Sequence, residues 1–105
     1  MEINDQLLDE LLSQAETNER RRVNLDLRNG DEDTSQRMLN ALQPGTHVPI
    51  HRHTTTSETV ILLRGHVTEL FYNKKGVECG RYDLNPAKGV YGVQVPVGMW
   101  HTLVV

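Results

Sequence analysis

Residues 45–65 read GTHVPIHRHTTTSETVILLRG, and the fold and chemistry of the chain both turn on this stretch. His51 and His53 are separated by one residue. On an extended chain, residues i and i+2 point to the same side, so both imidazoles converge on one point. Glu58 follows beyond Thr54-Thr55-Thr56-Ser57, a polar bend that lets its carboxylate approach the same point from the next strand. Thr59 to Leu63 is apolar and partly β-branched, and Arg64-Gly65 breaks it. Nearly fifty residues on, Pro96-Val97-Gly98 forms a turn that aims His101 inward. Three of the five histidines thus fall where a metal site needs them.

Short strands separated by turn signals extend on either side. Val23, Leu25 and Leu27 alternate with polar residues, the pattern of a strand with one buried face. Asn29-Gly30-Asp31-Glu32-Asp33 is a polar loop, and residues 36–42 are a strand running into Pro44-Gly45. Val67 to Tyr72 is a strand ending at the turn Asn73-Lys74-Lys75-Gly76, from which Cys79 to Leu84 pairs back as a hairpin. Gly89 to Pro96 and Trp100 to Val105 complete the set. Strands at spacings of about 8–12 residues, with no helices between them, indicate a sandwich or barrel. The exception is residues 4–18, where Leu7, Leu8, Leu11, Leu12 and Ala15 recur at helical spacing. Asn4 is the expected N-cap and Asn18 the terminator of this amphipathic helix.

Composition narrows the classes. At 105 residues the chain is one domain, with 37% apolar residues and five aromatics forming a lean core. A net charge of −3 argues against a nucleic-acid partner, and Arg20-Arg21-Arg22 reads as a solvated stretch after the helix. The single Cys79 excludes an internal disulfide framework and fits a reducing compartment. No basic n-region precedes an apolar run, and no stretch approaches the roughly 20 apolar residues of a membrane helix. The expected location is the cytoplasm, with no membrane partner.

The spacing from Gly45 to Gly65, G-x5-H-x-H-x4-E-x6-G, resembles the first motif of the cupin superfamily at every fixed position. Pro96 to His101, P-x-G-x2-H, resembles the core of the second. Gly89 lies one residue further upstream of Pro96 than that second motif has it. RRRVNLDLRN (20–29), QRMLNALQPGTHVPIHRH (36–53) and PVGMWHTLVV (96–105) further resemble the WbuC-type cupin metalloproteins associated with O-antigen and other surface-polysaccharide gene clusters. The resemblance covers most of the chain from about Arg20. It implies an all-β cupin fold, a small double-stranded β-helix or jelly-roll barrel, with a helix over 1–20 and the barrel over 21–105. It also implies that His51, His53, Glu58 and His101 are the ligands of one divalent metal. Imidazoles and a carboxylate suit Fe, Mn, Ni, Co or Zn, with two positions of an octahedral ion left open. Family members usually continue past this point, whereas this chain ends at Val105, so the closing strand is expected to be missing, supplied by another chain or replaced by a new pairing. A homodimer that covers the open edge is the expected assembly.

Arg22, Asn24, Arg37 and Asn40 are polar positions within otherwise apolar strands. Either they brace the barrel or they hold a substrate, and Arg37 is the best candidate for an anionic group. His47 and His66 read as surface residues. Trp100 should face away from its neighbour His101, as a packing or interface residue. The function implied is metal-assisted chemistry on a small polar molecule, such as a sugar or sugar nucleotide, with the metal as Lewis acid. An Fe(II) dioxygenase-like enzyme and a non-catalytic carbohydrate- or anion-binding sensor are the alternatives. No general base besides Glu58 is visible, and no catalytic residue can be named.

Overall fold

A computed structural model describes residues 1–105. Its contacts divide the chain into two compact units, Met1–His47 and Val48–Val105. The boundary expected at residue 20 follows the change from helix to strand, whereas this one follows where contacts thin. Apart from one N-terminal helix, the regular structure is almost wholly β, in seven strands that form small sheets.

In the first unit, helix α1 spans Asp5–Thr17. The Asn4 side chain caps it by accepting from the Leu7 amide at 3.0 Å, which satisfies one of the amides the first turn leaves orphaned. Strands β1 (Arg22–Asp26) and β2 (Met38–Leu42) pair antiparallel, with Val23 opposite Ala41 and Leu25 opposite Leu39. The period-2 alternation puts these four on one face, and there they meet Leu7, Leu11, Leu12 and Ala15 of α1 in the unit's core. Arg21 joins helix to sheet with a φ of 58°, and two hydrogen bonds hold it there. Its guanidinium donates to the carbonyls of Glu16 at 2.6 Å and Pro44 at 3.3 Å. The Arg20–Arg22 run therefore includes a structural member: a cation on a carbonyl that the end of α1 leaves free.

The second unit carries two sheets, an arrangement compatible with a small β-sandwich. Strands β3 (Glu58–Ile61) and β6 (Gly92–Val95) form an antiparallel pair. Strands β4 (Val67–Tyr72), β5 (Glu78–Leu84) and β7 (Trp100–Val104) form a sheet in the order β5-β4-β7. The hairpin from β4 to β5 turns at Asn73, whose side-chain oxygen accepts from the amides of Lys75 and Val77. Gly76 supplies the left-handed residue at φ 77°. The central strand β4 buries Val67, Glu69, Leu70 and Phe71. Leu84 and Val95 complete the apolar interior of this unit.

Strands β3 and β6 approach so closely at Gly92 that a Cβ there would overlap the Val60 carbonyl oxygen and crowd the Ile61 side chain. Gly92→Ala should therefore destabilise the protein by about 1–3 kcal/mol, the usual cost of overpacking a site whose obstacle is backbone. A lowered melting temperature by circular dichroism is the expected result; an unchanged one would show that the pair separates without cost.

Candidate metal centre

The centre lies within the second unit and is assembled from three segments. His51 is not part of a regular strand. It makes a single antiparallel bridge to His101, its amide donating to the His101 carbonyl at 3.0 Å and the reverse bond measuring 2.8 Å. His53 is held by its own carbonyl, which accepts from the Gly98 amide at 2.8 Å. Gly98 occupies the turn after Pro96 with a φ of 77°, and the Met99 amide closes that turn onto the Pro96 carbonyl. The two motif segments are thus tied at two points, His51 to His101 and His53 to Gly98. The expected sharing of a face by His51 and His53 is met by extended backbone rather than by a ladder.

One ring nitrogen from each of His51, His53 and His101 lies within 4.8 Å of the others. The rings of His51 and His101 are 4.3 Å apart at their centroids. Glu58, at the start of β3, closes the cluster. Its Oε2 lies 2.9 Å from His53 Nε2 and its Oε1 3.9 Å from His101 Nε2. Nitrogens bound to one ion at about 2.1 Å lie roughly 3.0–4.2 Å apart, so modest side-chain adjustment closes these atoms on a single ion. Three nearby histidines that could hold a metal ion, with a carboxylate beside them, are therefore a feature of the structure.

The protonation pattern suits that use. His51 Nδ1 lies 2.9 Å from the Pro49 carbonyl and His101 Nδ1 2.9 Å from the Met99 carbonyl. A carbonyl only accepts, so each Nδ1 carries a proton, and in the neutral ring Nε2 is left with the lone pair. Backbone carbonyls commonly orient metal-bound histidines in this way. His101 is 2% exposed, and its Nε2 is buried without a hydrogen-bond partner. Burial, assisted by the neighbouring His51 and His53, holds its imidazole below the usual histidine range and keeps it neutral.

A residue the sequence reading missed stands beside this cluster. Glu69, in the middle of β4, is 1% exposed and its Oε2 has no hydrogen-bond partner. Burial first, and then the charge of Glu58, pushes its carboxyl up to about 7. A glutamate within VTELFY passes in sequence for a solvent-facing position. The signal was its i±2 relation to Val67 and Phe71, which puts it on their face of the strand.

The other named residues fall as follows. Arg22, Asn24 and Asn40 lie on the face of the β1–β2 hairpin opposite Val23 and Leu25, with Asn24 directly across from Asn40. Asn24, Arg37 and Asn40 are exposed and Arg22 is half-buried. Arg37 donates to the Asp33 carboxylate at 3.1 Å and the Ser35 carbonyl at 2.6 Å. Asp33 itself accepts from the amides of Asn29 and Ser35, and these bonds together with Arg37 hold its carboxyl down to about 2. Arg37 thus braces the 29–37 loop. His47 and His66 are exposed. Trp100 does point away from His101, into an open cleft with Ile50 and Tyr72, and the Arg52 guanidinium lies 4.7 Å over its ring.

The family described as "Domain of unknown function (DUF6016)" matches residues 3–84. That is well over half of the chain, and the chain belongs to this family. The match takes in His51, His53, Glu58 and Glu69. No curated protein and no solved structure matches the chain.

The buried carboxyl of Glu69 gives a pH-dependent prediction for metal-free protein. Its folded-state value of about 7 lies above the ordinary 4.5, so the folded state binds more protons between those pH values. Its contribution is then unfavourable and grows as pH rises from about 4.5 through 7. Glu69→Leu, which removes the buried carboxyl in similar volume, should stabilise the protein by roughly 1–3 kcal/mol at pH 8 and by much less at pH 4.5. Urea denaturation in the presence of a chelator at both pH values checks this; a pH-independent difference would contradict it.

Proposed function

We propose that this member of the DUF6016 family is a cupin-type metalloprotein that binds one divalent ion through His51, His53, Glu58 and His101. In this reading it uses the ion on a small polar molecule, such as a sugar or sugar nucleotide. The observation that carries it is the convergence of three histidines and one carboxylate on one point, with His101 Nε2 buried, unprotonated and without a partner. A buried polar atom without a partner costs stability, and an ion in this position would supply one. The motif spacing over residues 45–65 and 96–101 supports the cupin reading of residues 21–105 and the likeness to WbuC-type proteins.

The residues divide the work by their chemistry. His51 and His101 are oriented by the Pro49 and Met99 carbonyls. Glu58 balances part of the positive charge and is positioned by its pairing with Val95 across β3 and β6. An ion held there would supply Lewis-acid polarisation of an oxygen ligand at its open positions. Three neutral imidazoles and one carboxylate leave such a centre with net positive charge, which favours an anionic or chelating oxygen ligand.

A cytoplasmic location and a homodimer belong to the same reading. The free Cys79 supports the first, and no helix is long and apolar enough to cross a membrane. Exposed Ile61 of β3, with Val90 and Tyr91 just before β6, supports the second, because a second copy would cover them.

Elemental analysis of protein purified without an affinity tag or added metal tests the centre. About one Fe, Mn, Ni, Co or Zn per chain is expected, and His51→Ala and His101→Ala should each lower that content. The wild type should also melt higher when metal is present, by an amount corresponding to about 2.7 kcal/mol at a hundredfold excess over Kd, while the two variants gain little. Wild-type protein that contains no metal and takes up none would overturn the reading.

A further inference from the structure

The inner face of the β5-β4-β7 sheet carries two buried polar atoms that nothing in the protein satisfies, Glu69 Oε2 and His101 Nε2. Cross-strand partners point to the same side of a sheet. Phe71 lies opposite His101 and Glu69 opposite Leu103, so Glu69 and His101 share a face as diagonal neighbours, with Cα atoms about 7–8 Å apart. On the other side of β4, Glu69 lies opposite Tyr82. Its neighbours on this face of the sheet are therefore Val67, Phe71, Tyr82 and Leu103, and none of them gives Oε2 a partner. A carboxylate so placed is not bracing the sheet, because bracing requires something to hold. The three histidines converge without it, and the carboxylate paired with them is that of Glu58.

We infer that Glu69 is a ligand-contacting residue of the metal centre, whose carboxyl group accepts a hydrogen bond from a hydroxyl group on the molecule bound there. This rests on the metalloprotein reading above and deepens it by naming the chemical feature recognised. The ligand is an oxygen chelator that carries at least one hydroxyl, such as an α-hydroxy acid or the vicinal diol of a sugar. Beside the ionised Glu69 carboxylate, a chelator with oxygen acceptors alone is disfavoured, since its oxygens would face that carboxylate without a proton between them. The Glu58 charge felt by Glu69 fits a position beside the centre.

The test loads the full chain with Co(II) at about pH 8, where Glu69 is ionised, and follows the visible spectrum while titrating either glycolate, which has a hydroxyl, or oxalate, which has none. The ratio of glycolate to oxalate affinity reads the contact, whatever the intrinsic strength of either chelator. Glu69→Leu should lower that ratio about tenfold or more relative to wild type, the worth of one hydrogen bond to a charged acceptor. Cobalt uptake should be unchanged, because Glu69 is not a ligand of the ion. Glu69→Gln, which keeps an acceptor oxygen without the charge, should fall between the two and guards against a folding defect in the leucine variant. A glycolate-to-oxalate ratio that both variants leave unchanged overturns the role of Glu69 while leaving the metal centre intact. Wild-type protein that takes up no cobalt overturns both.

Discussion

The pairing of His51 with His101 is the constraint on which the candidate site depends. These residues are fifty positions apart in the sequence, and two backbone hydrogen bonds of 3.0 and 2.8 Å bring them side by side. Directly opposed residues on antiparallel backbone place their side chains on one side, so this single bridge converts a local His-x-His pair into a three-histidine cluster. The bridge in turn needs β7 in place, and β7 is held by its ladder to β4. Thr102 adds a lateral tie, its hydroxyl donating to the Val48 carbonyl at 2.6 Å. The long loop closure that separates the two motifs is therefore stabilised by ordinary sheet pairing rather than by the metal-binding side chains.

Backbone geometry also settles the chemistry of the ring nitrogens. His51 and His101 each place Nδ1 against the carbonyl two residues earlier, that of Pro49 or Met99. The same local arrangement at both positions frees Nε2 on both. His53 differs: its Nε2 meets Glu58 and it lies largely in solvent. The centre thus grades from buried His101 through half-buried His51 to exposed His53, with His51 and His101 pre-oriented by backbone carbonyls.

Much of this was legible in the sequence, for physical reasons that differ by element. The helix was readable at both ends because Asn4 and Asn18 are cap residues flanking an unbroken leucine stripe. Strand β4 was readable to the residue because Asn73 to Gly76 fixes the turn that ends it. His51, His53 and Glu58 were readable as a spacing, since His-x-His followed by a glutamate on the next strand needs only extended backbone and a bend. His101, by contrast, was picked out by the likeness of residues 96–101 to a known motif. Strand pairing across long separations was not readable, and neither was anything that depends on it. Glu69 is the case in point: alternation groups it with Val67 and Phe71, but that this face is buried beside His101 follows only from the pairing of β4 with β7. The division of the chain at His47 likewise reflects contact density, to which neither turn residues nor hydropathy point.

The accounting of polar groups separates those that hold the fold from those left for something else. Several side chains that stand out in the sequence as charged are fully engaged within the protein. Arg21 meets the carbonyls of Glu16 and Pro44, Arg28 pairs with Asp26, and Arg37 pairs with Asp33 and the Ser35 carbonyl. Each is at a loop or an element end, where an unsatisfied carbonyl or carboxylate must otherwise face water. The two unsatisfied buried side-chain atoms, by contrast, belong to His101 and Glu69 on one face of one sheet. Unsatisfied buried groups are costly, and native proteins hold few of them. Two unrelated packing faults would have no reason to fall on adjacent strands, on the same side, next to three converging histidines. The proposed centre, an ion with a hydroxyl-bearing ligand, would give both atoms a partner at once.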